Sequence, residues 1–245
     1  MYFNVVTIKT TGVVRLLLLC LMLLVGIGVS AQTEITSLGS ISPTGNYKIV
    51  ADIDASSFST ISSFSGTLEA AINPETHMPY RITNLSAPLF NILAGTVKNL
   101  VIESVAISGH TGNTGAIACT ANGAARIYNV GILSGSVGGT TNTGGLVGYL
   151  DGTARVVNCY SFADITSGTE KGGLVGYNNY ATKYNDLKTM VMNCMFYGDI
   201  TEGGTISPIY GGSAISNDYN ANNTNRLNNY NYYLYESPFS KNNTT

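Results

Sequence analysis

The hexapeptide Gly-Gly-Leu-Val-Gly-Tyr occurs at residues 144–149 and again, unchanged, at residues 172–177, which lie 28 positions later. Residues 114–119, Thr-Gly-Ala-Ile-Ala-Cys, form a degenerate copy that begins 30 positions before the first. Self-similarity at a fixed period of this length is the signature of repeat architectures. The repeat therefore decides the fold, and the rest of the chain can be aligned on it.

A second short element lies between these copies and contains an asparagine each time. It reads Val-Lys-Asn-Leu at 97–100, Ile-Tyr-Asn-Val at 127–130, Val-Val-Asn-Cys at 156–159 and Val-Met-Asn-Cys at 191–194. The asparagines are 30, 29 and 35 positions apart, and the longer last interval indicates an insertion near residues 178–190.

Aligning the copies gives four columns that are apolar throughout. They are Phe90/Ile117/Val147/Val175/Ile209, Val97/Ile127/Val156/Val191, Leu100/Val130/Cys159/Cys194 and Ile107/Val137/Ile165/Ile200. The intervening Gly, Asn, Thr and Ser, with β-branched neighbours, favour strands and turns over helices. We predict an all-β fold, a single-chain right-handed parallel β-helix solenoid of about five to seven coils of roughly 28–30 residues.

The asparagine column predicts a bend in each coil. Val97 and Leu100 are three positions apart, and a straight strand cannot point both side chains to one side. Asparagine tolerates left-handed backbone better than most residues, and its amide can bond to a neighbouring coil. We therefore interpret the column as structural corners, with a polar binding row as the alternative; its members are Asn99, Asn129, Asn158 and Asn193.

The repeated hexapeptide resembles the GLUG motif, a short repeat of secreted and surface proteins of bacteria. The resemblance is close at 144–149 and 172–177 and looser at 114–119, and with the asparagine elements it covers residues 87–212. It implies a bacterial exported protein with a β-helical repeat region. It does not imply one activity, since some members attach these repeats to immunoglobulin A-cleaving metallopeptidases and others are surface proteins of unknown role.

Composition excludes some classes of function. The 245 residues carry a formal net charge of −2, and only 11% of them are charged. A nucleic-acid-binding protein needs a basic face to meet phosphates, so we expect no nucleic-acid partner. The 28 Gly and 25 Asn residues are typical of a turn-rich β protein.

Residues 1–31 have the plan of a signal peptide. Lys9 and Arg15 precede an apolar run at 16–29, which is shorter than the roughly 20 residues needed to span a bilayer. We predict cleavage after Ala31, a secreted or cell-surface location, and membrane contact only through the signal peptide. An uncleaved membrane anchor is the alternative.

Three segments should follow the signal peptide. We expect irregular lead-in coils at 32–86, regular coils at 87–212, and an Asn- and Tyr-rich last coil with a frayed tail at 213–245. The pattern shows no closing helix, with residues 56–72 as a weak candidate for one. We therefore expect a short or truncated member of a longer surface-protein architecture.

The sequence offers little for catalysis. Its only histidines, His77 and His110, lack the His-Glu-x-x-His spacing of a metallopeptidase, and P-loop and nucleophile-elbow motifs are absent. We predict no catalytic residue, no metal site and no cofactor, so the peptidase activity of some relatives is not carried by this chain.

Two acidic residues fall in equivalent copies. Stacked on neighbouring coils, the carboxylates of Asp164 and Asp199 would approach within about 5–7 Å. Paired carboxylates suit glycoside hydrolysis, and they could also form a weak calcium site. Simple solvation on an outward face is the interpretation we favour.

The cysteines are interpreted as thiols. Cys159 and Cys194 stack in one column, where in-register neighbours orient poorly for a disulfide, so we expect them to act as small hydrophobes. Cys119 is aligned with Tyr149 and Tyr177 and is expected to be free.

Four tyrosines form the candidate binding surface, for sugar rings or for a protein partner. Tyr149 and Tyr177 end the hexapeptides, and Tyr180 and Tyr184 lie in the insertion, which could also be merely tolerated. The leading hypothesis is a non-enzymatic surface scaffold or adhesin-like interaction module, with a glycan or a host or cell-surface protein as partner. The rival is a carbohydrate-active β-helix, either a polysaccharide lyase, a glycoside hydrolase or a carbohydrate-binding module.

Overall fold

Short strands that pair in parallel with their equivalents in the next repeat make up this protein. The computed structural model describes residues 31–179, 190–207, 209–213 and 232–233, and the predicted signal peptide up to residue 30 lies outside them. Within these ranges the helical structure is one 3-10 turn, Leu38–Ser40, whose first turn is capped by the Ser37 side chain. No helix in the described part is long and apolar enough to cross a membrane.

Sheet A is the largest, with twelve strands. Its strands are β1 (Thr33–Ile35), β2 (Asn46–Ile49), β3 (Ile53–Asp54), β5 (Thr67–Ala70), β6 (Arg81–Thr83), β8 (Thr96–Glu103), β11 (Arg126–Ile132), β15 (Arg155–Val157), β16 (Tyr160–Ser161), β20 (Met190–Met192), β21 (Met195–Phe196) and β24 (Tyr232–Tyr233).

Three smaller sheets complete the described strands. Sheet B contains β4 (Ile61–Phe64), β7 (Phe90–Leu93), β10 (Ala118–Ala121), β14 (Val147–Leu150), β19 (Val175–Asn178) and β23 (Tyr210–Ser213). Sheet C contains β9 (Val105–His110), β12 (Gly135–Gly139) and β17 (Asp164–Ser167), and sheet D contains β13 (Asn142–Gly144), β18 (Glu170–Gly172) and β22 (Thr205–Ser207).

The pairings between these strands are parallel, and they join equivalent residues of successive copies. The all-β class is thus confirmed, with parallel sheets of the kind found in a β-helix. Residues 56–72 contribute β4 and β5, so the suggestion of a capping helix there was wrong.

Three of the four predicted apolar columns are buried and in register, as expected. The Val97 column pairs through β8, β11, β15 and β20, and each of its members is fully buried. The Leu100 and Ile107 columns are buried as well, with Ile200 the most exposed member at 8%. Stacked apolar rows therefore form the core, whose burial drives folding.

The first predicted column contains two errors of register. Ala118, not Ile117, pairs with Phe90 and Val147, and Tyr210, not Ile209, pairs with Val175. Ile117 and Ile209 instead bond to Leu146 and Leu174 in the adjacent row, which is also buried. Because both neighbouring rows are apolar, a shift of one residue left the pattern intact, and the sequence could not choose between the two alignments.

The same shift changes the neighbour of Cys119. Cys119 lies opposite Gly148, and Thr120 is the residue paired with Tyr149. The predicted alignment of Cys119 with Tyr149 and Tyr177 was therefore wrong.

Candidate functional site

One solvent-facing row of sheet B carries the tyrosines of both hexapeptides. Tyr149 and Tyr177 are half-buried, and their rings stack with centroids 5.4 Å apart and planes 3° from parallel. Identical residues in register on adjacent parallel strands produce this stack, because the strand spacing sets the ring separation. We call the full set the tyrosine row; it consists of Ser63, Ile92, Thr120, Tyr149, Tyr177 and Gly212.

The two ends of the stacked pair have different neighbours. On the side away from Tyr177, the register neighbour of Tyr149 on the adjacent strand is Thr120. On the side away from Tyr149, the register neighbour of Tyr177 is Gly212, which has no side chain. The outer ring face of Tyr177 is therefore left uncovered by its register neighbour. Tyr180 and Tyr184, the other members of the predicted aromatic surface, lie outside the described residues.

Polar side chains run beside the tyrosine row. Nδ2 of Asn113 donates to Oγ1 of Thr120 (3.3 Å), and Nδ2 of Asn142 donates to Oδ1 of Asn113 (2.8 Å). Asn142 is in register with Glu170, and Glu170 with Thr205. We call Asn113, Asn142, Glu170 and Thr205 the polar row.

A carboxylate lies at the C-terminal end of the stacked strands. Oδ1 of Asp151 accepts a hydrogen bond from Nδ2 of Asn179 (2.9 Å). Burial raises the pKa of Tyr149, and Asp151 and then Tyr177 raise it further. The Tyr149 phenol therefore stays protonated at neutral pH and can donate a hydrogen bond.

Asp164 and Asp199 are neighbours, but one of them is engaged with the backbone. The main-chain N–H of Asp199 donates to Oδ1 of Asp164 (2.9 Å), and both residues are exposed. Asp164 lies on sheet C, whereas the tyrosines lie on sheet B. Within the described ranges, no group of three or more His, Cys, Asp or Glu side chains is placed to hold a metal ion.

The asparagine column lies where the backbone is left-handed. The φ angles are +53°, +52°, +54° and +49° for Asn99, Asn129, Asn158 and Asn193. Nδ2 of Asn129 donates to Oδ1 of Asn99 (3.1 Å), and Nδ2 of Asn193 donates to Oδ1 of Asn158 (2.6 Å). Each of these amides bonds to the equivalent residue of the preceding copy, which favours the structural interpretation over a binding row.

Val147 and Val175, the two structural valines of the hexapeptides, are fully buried. The glycines that follow them pack against backbone of the preceding copy. A Cβ at Gly148 would collide with the amide nitrogen of Thr114, and one at Gly176 with that of Thr143. The hexapeptide therefore needs glycine at this position for close chain approach.

Cys119 lies beside a histidine without forming a reactive dyad. Its Sγ is 3.8 Å from Nε2 of His110, whose Nδ1 is 3.1 Å from Oγ1 of Thr114. Burial raises the pKa of Cys119 to about 11, so the thiol is protonated at neutral pH and is a poor nucleophile.

Cys159 and Cys194 are buried thiols that are not joined by a disulfide bond. The main-chain N–H of Cys159 bonds to Sγ of Cys194 at 3.4 Å. Both thiols belong to the core and not to a surface site.

The structure contains a second aromatic cluster that the sequence analysis did not predict. Tyr160 and Phe162 have centroids 5.3 Å apart, and Phe162 meets Tyr197 edge-on at 5.9 Å. Tyr197 is 51% exposed. The sequence could have predicted that Phe162 and Tyr197 are neighbours, since they occupy the same position after the Asn-Cys element in two consecutive copies.

Comparison with known proteins finds two families along the chain. The M26 IgA1-specific metallo-endopeptidase N-terminal region matches residues 39–134, and the GLUG motif matches residues 139–166. The GLUG match includes the first hexapeptide. Among curated proteins, the immunoglobulin A1 protease of Streptococcus sanguinis is 51% identical over 63 residues.

The aligned segment is a small part of that relative. It covers 24% of this chain and 3% of the protease. The match at residues 139–166 includes the hexapeptide on which the resemblance was based, so the resemblance to GLUG-motif repeat proteins is confirmed and the chain contains a GLUG motif.

Proposed function

We propose that this chain is an exported bacterial protein whose right-handed parallel β-helix serves as a surface scaffold and adhesin-like interaction module without catalysis. The observation that carries the proposal is the contrast between the two sides of the same strands. Inward positions repeat as apolar rows, whereas outward positions of sheet B form the tyrosine row, with the polar row beside it.

Export is supported by two features. The first 31 residues follow the signal-peptide plan. The GLUG motif and the N-terminal region of an IgA1-specific metallo-endopeptidase also match the chain. Cell fractionation and mass spectrometry test this step, and we expect an exported protein whose mature N-terminus is Gln32. A protein that stays in the cytoplasm and still carries residues 1–31 would contradict it.

The absence of catalysis is supported by the placement of the titratable groups. Asp164 is bonded to the Asp199 backbone, and Cys119 is held protonated. We expect the purified protein to release no reducing ends from polysaccharides and to leave immunoglobulin A intact. Turnover that is lost in Asp164→Asn or Asp199→Asn would overturn the scaffold proposal in favour of a carbohydrate-active enzyme.

The solenoid can be tested by removing one whole repeat. Deleting residues 144–171 joins Thr143 to Gly172 and restores the hexapeptide at the junction. In a solenoid each repeat contacts mainly its neighbours, so this variant should fold with a β-type circular dichroism spectrum. The matched control, deletion of residues 144–157, removes half a repeat and should abolish folding; if both deletions unfold the protein, the solenoid is rejected.

A further inference from the structure

The face of Tyr177 that points away from Tyr149, which its register partner does not cover, is the most specific feature of the tyrosine row. Tyr149 stacks on one face of this ring, and the opposite face points toward strand β23. The register partner of Tyr177 on β23 is Gly212, so the stack of tyrosine rings ends at Tyr177 and no third ring follows at position 212. A ligand ring that continues the stack would lie over Gly212 at about the same separation as the two tyrosines.

The polar row supplies acceptors beside this position. Strand β18 contacts both β19 and β23. Glu170 and Thr205 follow Asn142 in the polar row, and Asn113 of that row bonds to Thr120 of the tyrosine row, so the repeat geometry leads us to infer that Glu170 lies beside Tyr177 and Thr205 beside Gly212. Oε2 of Glu170 is buried and has no hydrogen-bond donor among the described residues. Because this oxygen is buried, a ligand hydroxyl can reach it only when the Glu170 side chain turns toward solvent, where a carboxylate accepts hydrogen bonds from hydroxyls.

The charges of the two rows select against anionic ligands. Glu170 belongs to the polar row and Asp151 lies near Tyr149, whereas neither row contains Lys or Arg. The ammonium group of the neighbouring Lys171 is turned away, since that residue is 3% exposed and Nζ donates to the Glu202 carbonyl (3.1 Å).

A flat apolar face with hydroxyl donors around its rim fits these groups. One face of a pyranose ring presents C–H groups that pack on an aromatic face, and its equatorial hydroxyls point sideways toward acceptors. A phenyl ring would stack equally well but would leave the Glu170 oxygen without a donor.

We propose that sheet B holds one pyranose ring of a neutral glycan, stacked on Tyr177 above Gly212 and hydrogen-bonded to Glu170. This inference rests on the proposed function, because it names the ligand class of the interaction module. Sialylated and uronic-acid glycans would be disfavoured by the two carboxylates.

The experiment is a calorimetric titration of the purified full chain with four probes: the hexaoses of glucose, mannose and galactose, and hexagalacturonate. We expect at least one neutral hexaose to bind and hexagalacturonate not to bind. Tyr177→Ala should weaken binding by about five- to tenfold, the loss expected for one aromatic stacking contact. Tyr177→Phe should retain most of the affinity.

Two further variants separate the site from general damage to the fold. Gly212→Leu should block the position by placing a side chain over Tyr177 and should reduce binding as much as Tyr177→Ala. Tyr197→Ala removes an exposed tyrosine from the other aromatic cluster and should leave binding unchanged. Circular dichroism and the thermal midpoint identify any variant that fails to fold. If a site variant fails to fold, Glu170→Gln takes its place in the binding comparison with the wild type.

The outcomes distinguish this inference from the proposed function. If none of the neutral hexaoses binds, or if Tyr197→Ala weakens binding as much as Tyr177→Ala, the pyranose subsite is wrong. The scaffold proposal is judged separately, by the absence of turnover and by the location of the protein. Preferential binding of hexagalacturonate would also overturn the inference, because it contradicts the charge argument.

Discussion

The two hexapeptides are identical in sequence but differ in what lies next to them. At 144–149 the chain is flanked by a degenerate copy on one side and by its twin on the other. At 172–177 it is flanked by its twin and by strand β23, where glycine replaces tyrosine. The shared sequence gives both copies the same buried valine and the same close-packed glycine. Their neighbours alone decide that Tyr177, and not Tyr149, has an outer face whose register partner carries no side chain.

The largest expected effect tests what the two copies share. Val147→Asp and Val175→Asp each bury an unpaired charge in a thin core, and each should destabilise the protein by about 4 kcal/mol or more. Urea denaturation followed by circular dichroism measures this. Ser63→Asp, which adds the same charge at an exposed position of sheet B, is the control. An unchanged midpoint in Val147→Asp would show that this row is not a core row.

A smaller shared effect is expected at the glycines. Gly148→Ala and Gly176→Ala would each push a methyl group into the backbone of the preceding copy, which should cost about 1–3 kcal/mol. The two losses should agree, because the colliding atoms are equivalent. Gly39→Ala, whose Cβ would meet only Ser37 Oγ at 3.6 Å, should be nearly neutral in the same denaturation assay. A marked difference between the two hexapeptide variants would mean that the copies do not pack alike.

The tyrosine pair should contribute a modest coupling energy. A double-mutant cycle with Tyr149→Ala and Tyr177→Ala should give about 0.5–1.5 kcal/mol, the usual value for an aromatic pair. Chemical denaturation of the four proteins provides the measurement. A coupling of zero would show that the rings do not stack in solution.

A pH dependence of stability distinguishes the residues that lie opposite the two glycines. Gly148 lies opposite Cys119, whose pKa burial raises from 9.0 to about 11, whereas Gly176 lies opposite Gly148. Between these values the unfolded chain releases a proton that the folded chain retains, so stability should fall as pH rises from 9 to 11. Cys119→Ala should have a shallower fall in the urea midpoint than the wild type, and an identical slope would contradict the burial of this thiol. Tyr149→Phe serves as a second comparison, because the pKa of Tyr149 is also raised.

Much of the fold could be predicted because a repeated sequence repeats its environment. The Val97, Leu100 and Ile107 columns followed from spacing alone, since each is the apolar member of its local pattern. The alignment failed at Ile117, where two adjacent apolar rows made a shift of one residue invisible. Hydrogen bonding between copies, as from Ile117 N to Leu146 O (2.9 Å), resolved the choice.

Less of the candidate site than of the fold could be predicted from the sequence. The pairing of Tyr149 with Tyr177 follows from their identical positions, so the stack could be anticipated. The polar row could not, because Asn113 and Glu170 lie in a different segment of the repeat from the tyrosines, and a tertiary contact, the hydrogen bond from Asn113 to Thr120, joins the rows. The cluster of Tyr160, Phe162 and Tyr197 was missed although Phe162 and Tyr197 occupy equivalent positions, because Tyr160 is aligned with Met195 and no aromatic column marked the cluster.

By itself the sequence determined the repeat, the all-β class and the residues that face inward, because burial imposes an apolar side chain on every copy. It also determined the left-handed positions of the asparagine column, since few other residues adopt that backbone without strain. Only the tertiary structure decided the register of the degenerate copy and the identity of each residue's neighbour on the next strand. Exposure is a property of neighbours and not of the residue itself, which is why two identical hexapeptides leave only one tyrosine face beside a glycine.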